Sequence, residues 1–335
     1  MTNEELKIKV DEFLSSGNIS EDVLYNLKMF ISIAILYEKL SKELEGTKFN
    51  AETLKNLPKL DLYTKIDLVK NMYKKYGYPL TDEMIEGVLS NGTIDFREYE
   101  YEEGDYLSVI RSGVVEGSAG IRNGKKFVSL PNSGYITDAI LIAHELGHYT
   151  IGIPETSSDH MISEAFAIFS EFLMEDELSN LGYKAEMDYV RKLRFRDTFA
   201  KNYLIPVMAA INVYLTLGDF EYESFNKLYS NLPLENYKED LANVKKIFNR
   251  SPRKIDIDRC LYYTFGCIYA YYMYDRLKKN PDFKENIFKA YSDPYRKDLN
   301  SFSESLGMNE INKDLEEAIN AYIDEINEEK LDKSV

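Results

Sequence analysis

The chain has 335 residues, 44% of them hydrophobic, and its 57 acidic and 41 basic side chains give a formal net charge of -16 at pH 7. This length and apolar content suffice for the packed core of one large domain or of two smaller ones. The negative charge disfavours nucleic acid and anionic membrane surfaces as partners, because both would repel the chain.

Targeting signals and cysteines are both sparse. The start, MTNEELKIKV, lacks the basic and then apolar pattern of a secretory signal, and the longest apolar run, Met29 to Tyr37, is too short to span a bilayer. Cys260 and Cys267 alone do not form a disulfide framework in so long a chain. These features predict a soluble, cytoplasmic protein with no membrane span.

The chain begins with helical patterns and then changes texture. Capping and breaking residues predict two helices before residue 46, and two more follow over about 60–75 and 82–89. Short β-like stretches come next, at about 95–101, 106–115 and 126–130, with Asn123-Gly124 as a hairpin signal. From Ile136 to about Glu329 the pattern returns to helix. A mainly α protein with a small β-sheet is therefore expected.

All three histidines fall in one short window, and two of them frame the motif His144-Glu145-Leu146-Gly147-His148. Residues four apart on a helix share one face, so both imidazoles can bind the same metal ion with Glu145 beside it. This HExxH spacing is the signature of zinc peptidases. A catalytic zinc ion usually takes a third protein ligand and leaves its fourth position to water.

The third ligand is predicted to be Glu164, on a helix that returns after a polar loop. The elongated motif with a third histidine is excluded, because Ile151 and Pro154 stand where glycine and histidine would be required. Glu155, Asp159 and His160 are the nearby competitors for the ligand role. Two histidines and one carboxylate favour one Zn²⁺ per chain over other divalent metals.

The chemistry expected of these residues is hydrolysis. Glu145 would act as the general base that takes a proton from water and passes it to the leaving amine. Glu171, two turns after Glu164, and Asp138 are the candidates for hydrogen-bonding a ligand histidine from behind. A dense tyrosine stretch between Tyr262 and Tyr274 could supply the donor that stabilises the oxyanion.

These motifs together resemble the oligoendopeptidase F and thimet oligopeptidase family of zinc metallopeptidases, in the glutamate-ligand class called gluzincins. The resemblance rests on three segments in the same order: residues 111–120, residues 127–131 followed by 138–148, and residues 164–171. It implies a zincin-like helical fold with a small β-sheet beside the active-site helix. It also implies a short peptide as substrate, contacted by Gly113, Val114 and Val115, with His160 as a further candidate contact.

Two departures from the family pattern shape the expectation. The long N-terminal helical region of these peptidases is mostly missing here, so the prediction is a helical region over 1–105 and a catalytic region over 106–330. This boundary is soft, and one continuous domain is the alternative. The second departure is chemical, because the family's downstream histidine is replaced in a segment where Arg259 or Cys260 stands.

Catalytic assistance is consequently assigned to tyrosines, with Tyr269 and Tyr272 matching the family best and Tyr262 as a third candidate. The missing histidine leaves two alternatives to a general oligopeptidase. One is a weak or inactive peptide-binding protein that retains its zinc site, and the other is a processing peptidase dedicated to a single peptide. Neither the cleaved sequence nor the oligomeric state follows from these patterns.

Overall fold

A computed structural model of the chain describes residues 57–77, 94–98, 118–122, 125–132, 134–151, 157–195, 199, 257–292 and 299–328. The helices predicted before residue 46 and over 82–89, and the strand predicted over 106–115, lie outside these ranges. The predicted substrate contacts Gly113, Val114 and Val115 lie outside them as well. The boundary near residue 105 also remains a prediction.

The first described helix, α1, spans Leu62–Lys75 and begins where Asp61 caps it by accepting a hydrogen bond from the Thr64 amide at 3.0 Å. Its buried face includes Ile66, Val69 and Tyr73, which recur at helical spacing. The Tyr73 hydroxyl donates to the carbonyl of Ala143 at 2.6 Å. This bond joins α1 to the helix that carries the histidine motif.

A three-stranded sheet follows, made within the described residues from β1 (Ile94–Glu98), β2 (Ser118–Arg122) and β3 (Lys125–Asn132). The strand order is β1-β3-β2, with β1 parallel and β2 antiparallel to β3. Arg122 pairs with Lys125, which confirms the hairpin predicted from Asn123-Gly124. The partner of β3 in this hairpin begins at Ser118, later in the chain than the stretch predicted over 106–115.

The histidine motif lies on α2 (Asp138–Ile151), and α3 (Ser157–Leu178) packs back against it. Gly147 makes this approach possible, because a Cβ atom there would lie only 3.0 Å from the Cα atom of Ala167. The start of α2 is held by the buried Lys65 amine, which donates to Asp138 Oδ2 at 2.6 Å and to Asn132 Oδ1 at 2.7 Å. Lys65 thereby connects α1 and the end of β3 to α2.

A π-helical turn over Ser179–Tyr183 links α3 to α4 (Lys184–Leu193), and Gly182 takes a φ of 105° there. The remaining described elements are α5 (Ile257–Lys279), a 3-10 turn (Pro281–Phe283), α6 (Lys284–Ser292), α7 (Leu299–Ser305) and α8 (Ile311–Glu328).

The long helix α5 packs along α3, and both run in the same direction. Gly266 of α5 lies against Glu164 near the start of α3, while the Tyr274 hydroxyl donates to Asp176 Oδ1 near its end, at 2.7 Å. Between these points Phe172 packs against Tyr274 with ring centroids 5.1 Å apart. Much of the tyrosine stretch therefore belongs to an aromatic core, and its hydroxyl groups reach polar partners at the edge of that core.

The predicted fold class is confirmed, since the described structure is mainly helical with a small sheet packed against the histidine helix. Within the described residues, no helix has both the length and the apolar character needed to cross a membrane.

Candidate metal centre

His144 and His148 lie one turn apart on α2 and direct their imidazoles to a common point. Their Nε2 atoms are 3.0 Å apart, and their rings meet edge to face. Each Nδ1 atom is engaged by α3, His144 by Glu171 Oε1 at 2.5 Å and His148 by Ser163 Oγ at 2.7 Å. Because the Nδ1 atoms are engaged in this way, the two Nε2 atoms are the ones that face the common point.

Glu164, one residue beyond Ser163 on α3, brings an oxygen to the same point. Its Oε2 atom lies 3.6 Å from His148 Nε2 and 3.8 Å from His144 Nε2. This oxygen is buried, and no hydrogen-bond donor among the described residues reaches it. A buried carboxylate oxygen without a donor is costly unless a cation or another partner completes its surroundings.

The spacing of these three atoms fits a metal ion. Zinc binds imidazole nitrogen and carboxylate oxygen at about 2.0–2.2 Å, so the ligand atoms of a tetrahedral site lie about 3.3 Å apart. The observed separations of 3.0, 3.6 and 3.8 Å bracket that value. The donor set of two histidines and one glutamate, all within 4.8 Å of one another, could therefore hold a metal.

The charges in this group shift the pKa values of their neighbours. Burial opposes protonation of His144, but the hydrogen bond and charge of Glu171, together with Glu145 and Glu164, outweigh it and raise the pKa to about 9. Burial raises the pKa of Glu164 to about 7, and repulsion from Glu145 adds to this. Burial and the charge of His144 hold the pKa of His148 well below its usual value. Such mutual perturbation in one buried cluster is typical of functional sites.

Glu145 lies within this cluster. It is 5% exposed, and its charge adds to the rise in the pKa of both His144 and Glu164. Its sequence position beside His144 directs its carboxylate away from the pair of imidazoles by about 100° around the helix axis. The structure thus places a carboxylate close to the ligand set without including it among the three converging atoms.

Of the two carboxylates predicted to support a histidine, the structure brings Glu171 to the site. Its Oε1 atom meets His144, and its Oε2 atom pairs with Arg194. Asp138 lies instead at the first turn of α2, six residues before His144, where it pairs with Lys65. Six residues correspond to about 9 Å along a helix, so Asp138 anchors α2 at some distance from the histidines.

Tyr263 of α5 contacts Glu164 of the ligand set, and it is not one of the three tyrosines assigned above. Its hydroxyl donates a hydrogen bond to the Glu164 carboxylate, which lowers the pKa of that group against the effect of burial. The guanidinium of Arg259 lies over the Tyr263 ring, 5.4 Å from its centroid. The sequence does carry one indication of Tyr263. Gly266 follows it by one helical turn, and a glycine there marks the face of α5 that packs closely against another helix.

The close approach at Gly266 places Tyr263 at the site. A Cβ atom on Gly266 would stand 2.6 Å from Glu164 Cβ and 3.2 Å from the amide nitrogen of Ala165. Because real Cβ atoms are not found so close, only glycine allows α5 to pack here against α3.

Tyr262 and His160 form a pair beside the cluster. Their rings stack with centroids 4.8 Å apart and planes 10° apart, and His160 is exposed. His160 and Asp159 are not members of the converging ligand set found among the described residues. The pair therefore offers an exposed ring surface one turn before Glu164 on α3.

Tyr269 and Tyr272 are placed farther along α5. The Tyr269 hydroxyl is hydrogen-bonded to Ser303 Oγ at 2.9 Å in the core, and Arg276 lies over the Tyr272 ring. Because α3 and α5 run in parallel, positions beyond Gly266 move away from Glu164 by about 1.5 Å per residue. The structure thus brings Tyr263 rather than Tyr269 or Tyr272 to the ligand set.

Comparison with known proteins shows similarity of structure but not of sequence. No family model matches the chain, and no curated protein matches it. A crystal structure assigned to a peptidase from Chlamydophila abortus is similar over 94% of this chain and 57% of its own, with a TM-score of 0.56 and 18% identity. A second, assigned to oligoendopeptidase F from Bacillus anthracis str. Ames, is similar over 92% of this chain and 56% of its own, with a TM-score of 0.50 and 17% identity.

The chain thus spans somewhat more than half the length of these two proteins. At such low identity the likeness establishes a shared fold. The chemistry of the site must be argued from the residues of this chain.

Proposed function

We propose that this chain is a zinc-dependent metallopeptidase that hydrolyses peptide bonds in short peptides. The observation that carries the proposal is the convergence of His144 Nε2, His148 Nε2 and Glu164 Oε2 beside the Glu145 carboxylate. The fold shared with two structures assigned as peptidases supports it. Two histidines and one glutamate are a donor set of catalytic zinc sites, whereas structural zinc sites are closed by four protein ligands, mostly cysteine and histidine.

The three converging side chains would hold the ion. When bound, zinc supplies a Lewis acid that polarises the scissile carbonyl and makes water a better nucleophile. Glu171 and Ser163 hold the Nδ1 atoms of the two histidines, so that both Nε2 atoms keep the orientation needed for binding.

Glu145 is the proposed proton carrier. Its carboxylate accepts a proton from the attacking water and delivers it to the nitrogen of the leaving amine. A buried position for Glu145 keeps bulk water from competing for the proton.

Tyr263 is the proposed donor to the developing oxyanion, in place of the downstream histidine of the resembling family. We expect Tyr263→Phe to lower kcat for peptide hydrolysis by about 10- to 100-fold, because a preorganised donor of this kind contributes that much or more. The zinc dissociation constant should change less than tenfold, since all three ligand side chains remain. Steady-state kinetics with a quenched-fluorescent peptide and a zinc competition assay measure both.

Tyr271→Phe is the matched control for this prediction. Its hydroxyl lies on the same helix but donates to Glu325 Oε2 at 2.5 Å, on the far side of the core. Peptide hydrolysis should be retained in this variant even if its melting temperature falls. Equal kcat values for the two variants would remove Tyr263 from the proposed mechanism.

The substrate is proposed to lie along β2, at one edge of the described sheet. This strand packs against α2, and β3 flanks it on one side only within the described sheet. A peptide could add to such an edge through its backbone, with Gly113, Val114 and Val115 as the contacts expected from the sequence. The stacked rings of His160 and Tyr262 would contact another residue of the peptide.

Removal and return of the metal test the proposal. Purified protein should contain close to one zinc per chain, and dialysis against a chelator should abolish cleavage of a quenched-peptide library. One equivalent of Zn²⁺ should restore cleavage, whereas Mg²⁺ should not, because hard oxygen-seeking cations suit this donor set poorly. Protein that binds no divalent metal, or that cleaves peptides fully without it, would contradict the proposal.

The same assay separates the two alternatives. Zinc bound with measurable peptide affinity but no turnover would favour a peptide-binding protein over an enzyme. Cleavage confined to one sequence within the library would favour a processing peptidase.

A further inference from the structure

We infer that Arg194 is a positioning residue for the metal centre, acting on His144 through Glu171. The inference rests on the proposed function, because it assigns Arg194 a role in metal binding. Arg194 immediately follows α4 and reaches across to α3. There its guanidinium pairs with Glu171 and Glu175, which lie one turn apart on one face of α3.

Glu171 divides its two oxygens between the metal centre and Arg194. Oε1 is bonded to His144 Nδ1 at 2.5 Å, and Oε2 is paired with Arg194 Nη1. Because a carboxylate is rigid and planar, fixing one oxygen restricts the position of the other. Arg194 therefore determines where Oε1 lies, and Oε1 in turn sets the plane of the His144 ring.

Arg194 is itself held from several directions. Its Nη1 lies 2.8 Å from Glu175 Oε1, and its Nη2 donates to Glu175 Oε2 at 3.0 Å. The guanidinium also stacks over the Phe172 ring, 4.8 Å from its centroid. A planar guanidinium with a two-oxygen contact and a stacking partner has little rotational freedom, so it can transmit a fixed orientation to Glu171.

Arg191 provides a natural comparison within the same charge network. It is 7% exposed, its Nε donates to Glu175 Oε2 at 2.8 Å, and its Nη atoms bind Asp176 at 2.6 Å and Glu325 at 3.0 Å. These partners tie α4 to α3 and α8, and Glu171 is not one of them. Arg191 therefore shares the burial, the charge and one carboxylate partner of Arg194 but not its link to His144.

The test compares zinc affinity in Arg194→Gln and Arg191→Gln at fixed pH, by competition with a chromophoric chelator. Arg194→Gln should weaken zinc binding by about 10- to 100-fold, the effect usual for a residue that orients a metal ligand from behind. Arg191→Gln should leave the zinc dissociation constant within about threefold of the wild-type value. The melting temperature of this variant should still fall, since the substitution disrupts buried packing without touching Glu171.

A double-variant cycle shows whether Arg194 acts through Glu171. In a Glu171→Gln background, Arg194→Gln should cause little further loss of zinc affinity, whereas independent effects would multiply. The resonance of the His144 Nδ1 proton should also move in Arg194→Gln and stay in place in Arg191→Gln. Arg194→Lys keeps the positive charge and should recover part of the zinc affinity. If Arg194→Gln does not fold, Arg194→Lys is compared with Arg191→Gln in its place.

Unchanged zinc affinity in Arg194→Gln would overturn the inference, and so would an equal further loss of zinc affinity in the Glu171→Gln background. Failure of the proposed function would look different, because the wild-type protein would then bind no zinc at all. Weak zinc binding in both arginine variants alike would assign Arg194 to general stability and would likewise overturn its positioning role.

Discussion

Glu145→Gln is expected to abolish most peptide hydrolysis while leaving the protein folded and loaded with zinc. Glutamine has nearly the same shape as glutamate but cannot accept the proton from water, so the loss should be at least about a hundredfold. The three converging ligand atoms belong to other side chains, and zinc content should stay near one per chain. Kinetics with a fluorescent peptide and metal analysis of the same sample measure the two quantities.

The control for this variant is Glu177→Gln. Glu177 is a carboxylate of α3 that pairs with Lys75 on α1, remote from the histidine motif in the chain. The Glu177→Gln protein should hydrolyse peptides at the wild-type rate. Undiminished hydrolysis by Glu145→Gln would show that another group carries the proton and that the mechanism proposed for Glu145 is wrong.

Gly266→Ala is expected to damage both stability and zinc binding, although alanine is the better helix former. Replacing glycine inside a helix gains about 1 kcal/mol in propensity. The new Cβ atom would stand 2.6 Å from Glu164 Cβ and 3.2 Å from the Ala165 amide nitrogen, so helix α5 must move away from α3. Overpacking of this kind costs about 1–3 kcal/mol, and here backbone atoms bear it, so the loss should exceed the gain.

The displacement falls on Glu164, one of the three proposed metal ligands. The clash with Glu164 Cβ moves the Glu164 carboxylate away from the two histidines, so zinc should bind at least about tenfold more weakly. Gly182→Ala is the matched control. A Cβ atom at Gly182 would meet no atom within 4 Å, but the φ of 105° at this position strains any residue with a side chain. We expect that variant to unfold at lower temperature and to keep its zinc affinity. A Gly266→Ala protein as stable as wild type would contradict the packing argument.

The parts of the site that follow from local sequence could be predicted. The spacing of His144 and His148 depends only on helix geometry, and Glu164 needs only a short loop and a returning helix. Glu171 shares the face of Glu164 two turns later, so its place behind a histidine follows as well. These positions lie within one helical hairpin, where sequence distance limits spatial distance.

The rest depends on packing between distant segments. Tyr263 reaches Glu164 from about 100 residues away in the chain, and the choice among neighbouring tyrosines is made by the rotation of α5 against α3. Tyr262 and Tyr269 are the same residue type on the same helix, yet Tyr262 stacks on His160 and Tyr269 is hydrogen-bonded to Ser303. The roles of Arg194 and Lys65 could not be predicted from the sequence either, because a buried charge is recognisable only when its partners are known.

One part of the site lies on the helical hairpin formed by α2 and α3, and the other lies on α5, which is distant in the chain. This arrangement affects the order in which the site forms during folding. Contacts close in sequence form sooner than distant ones, because less loop entropy is lost in closing them. Under the proposed function, His144, His148 and Glu164 would therefore bind the ion while the nascent chain is still incomplete, and the ion would crosslink α2 and α3 early in folding. Tyr263 would reach Glu164 only after Gly266 packs against that hairpin. Metal capture would thus precede catalytic competence, so a chain caught halfway through folding would hold zinc without yet cutting peptides.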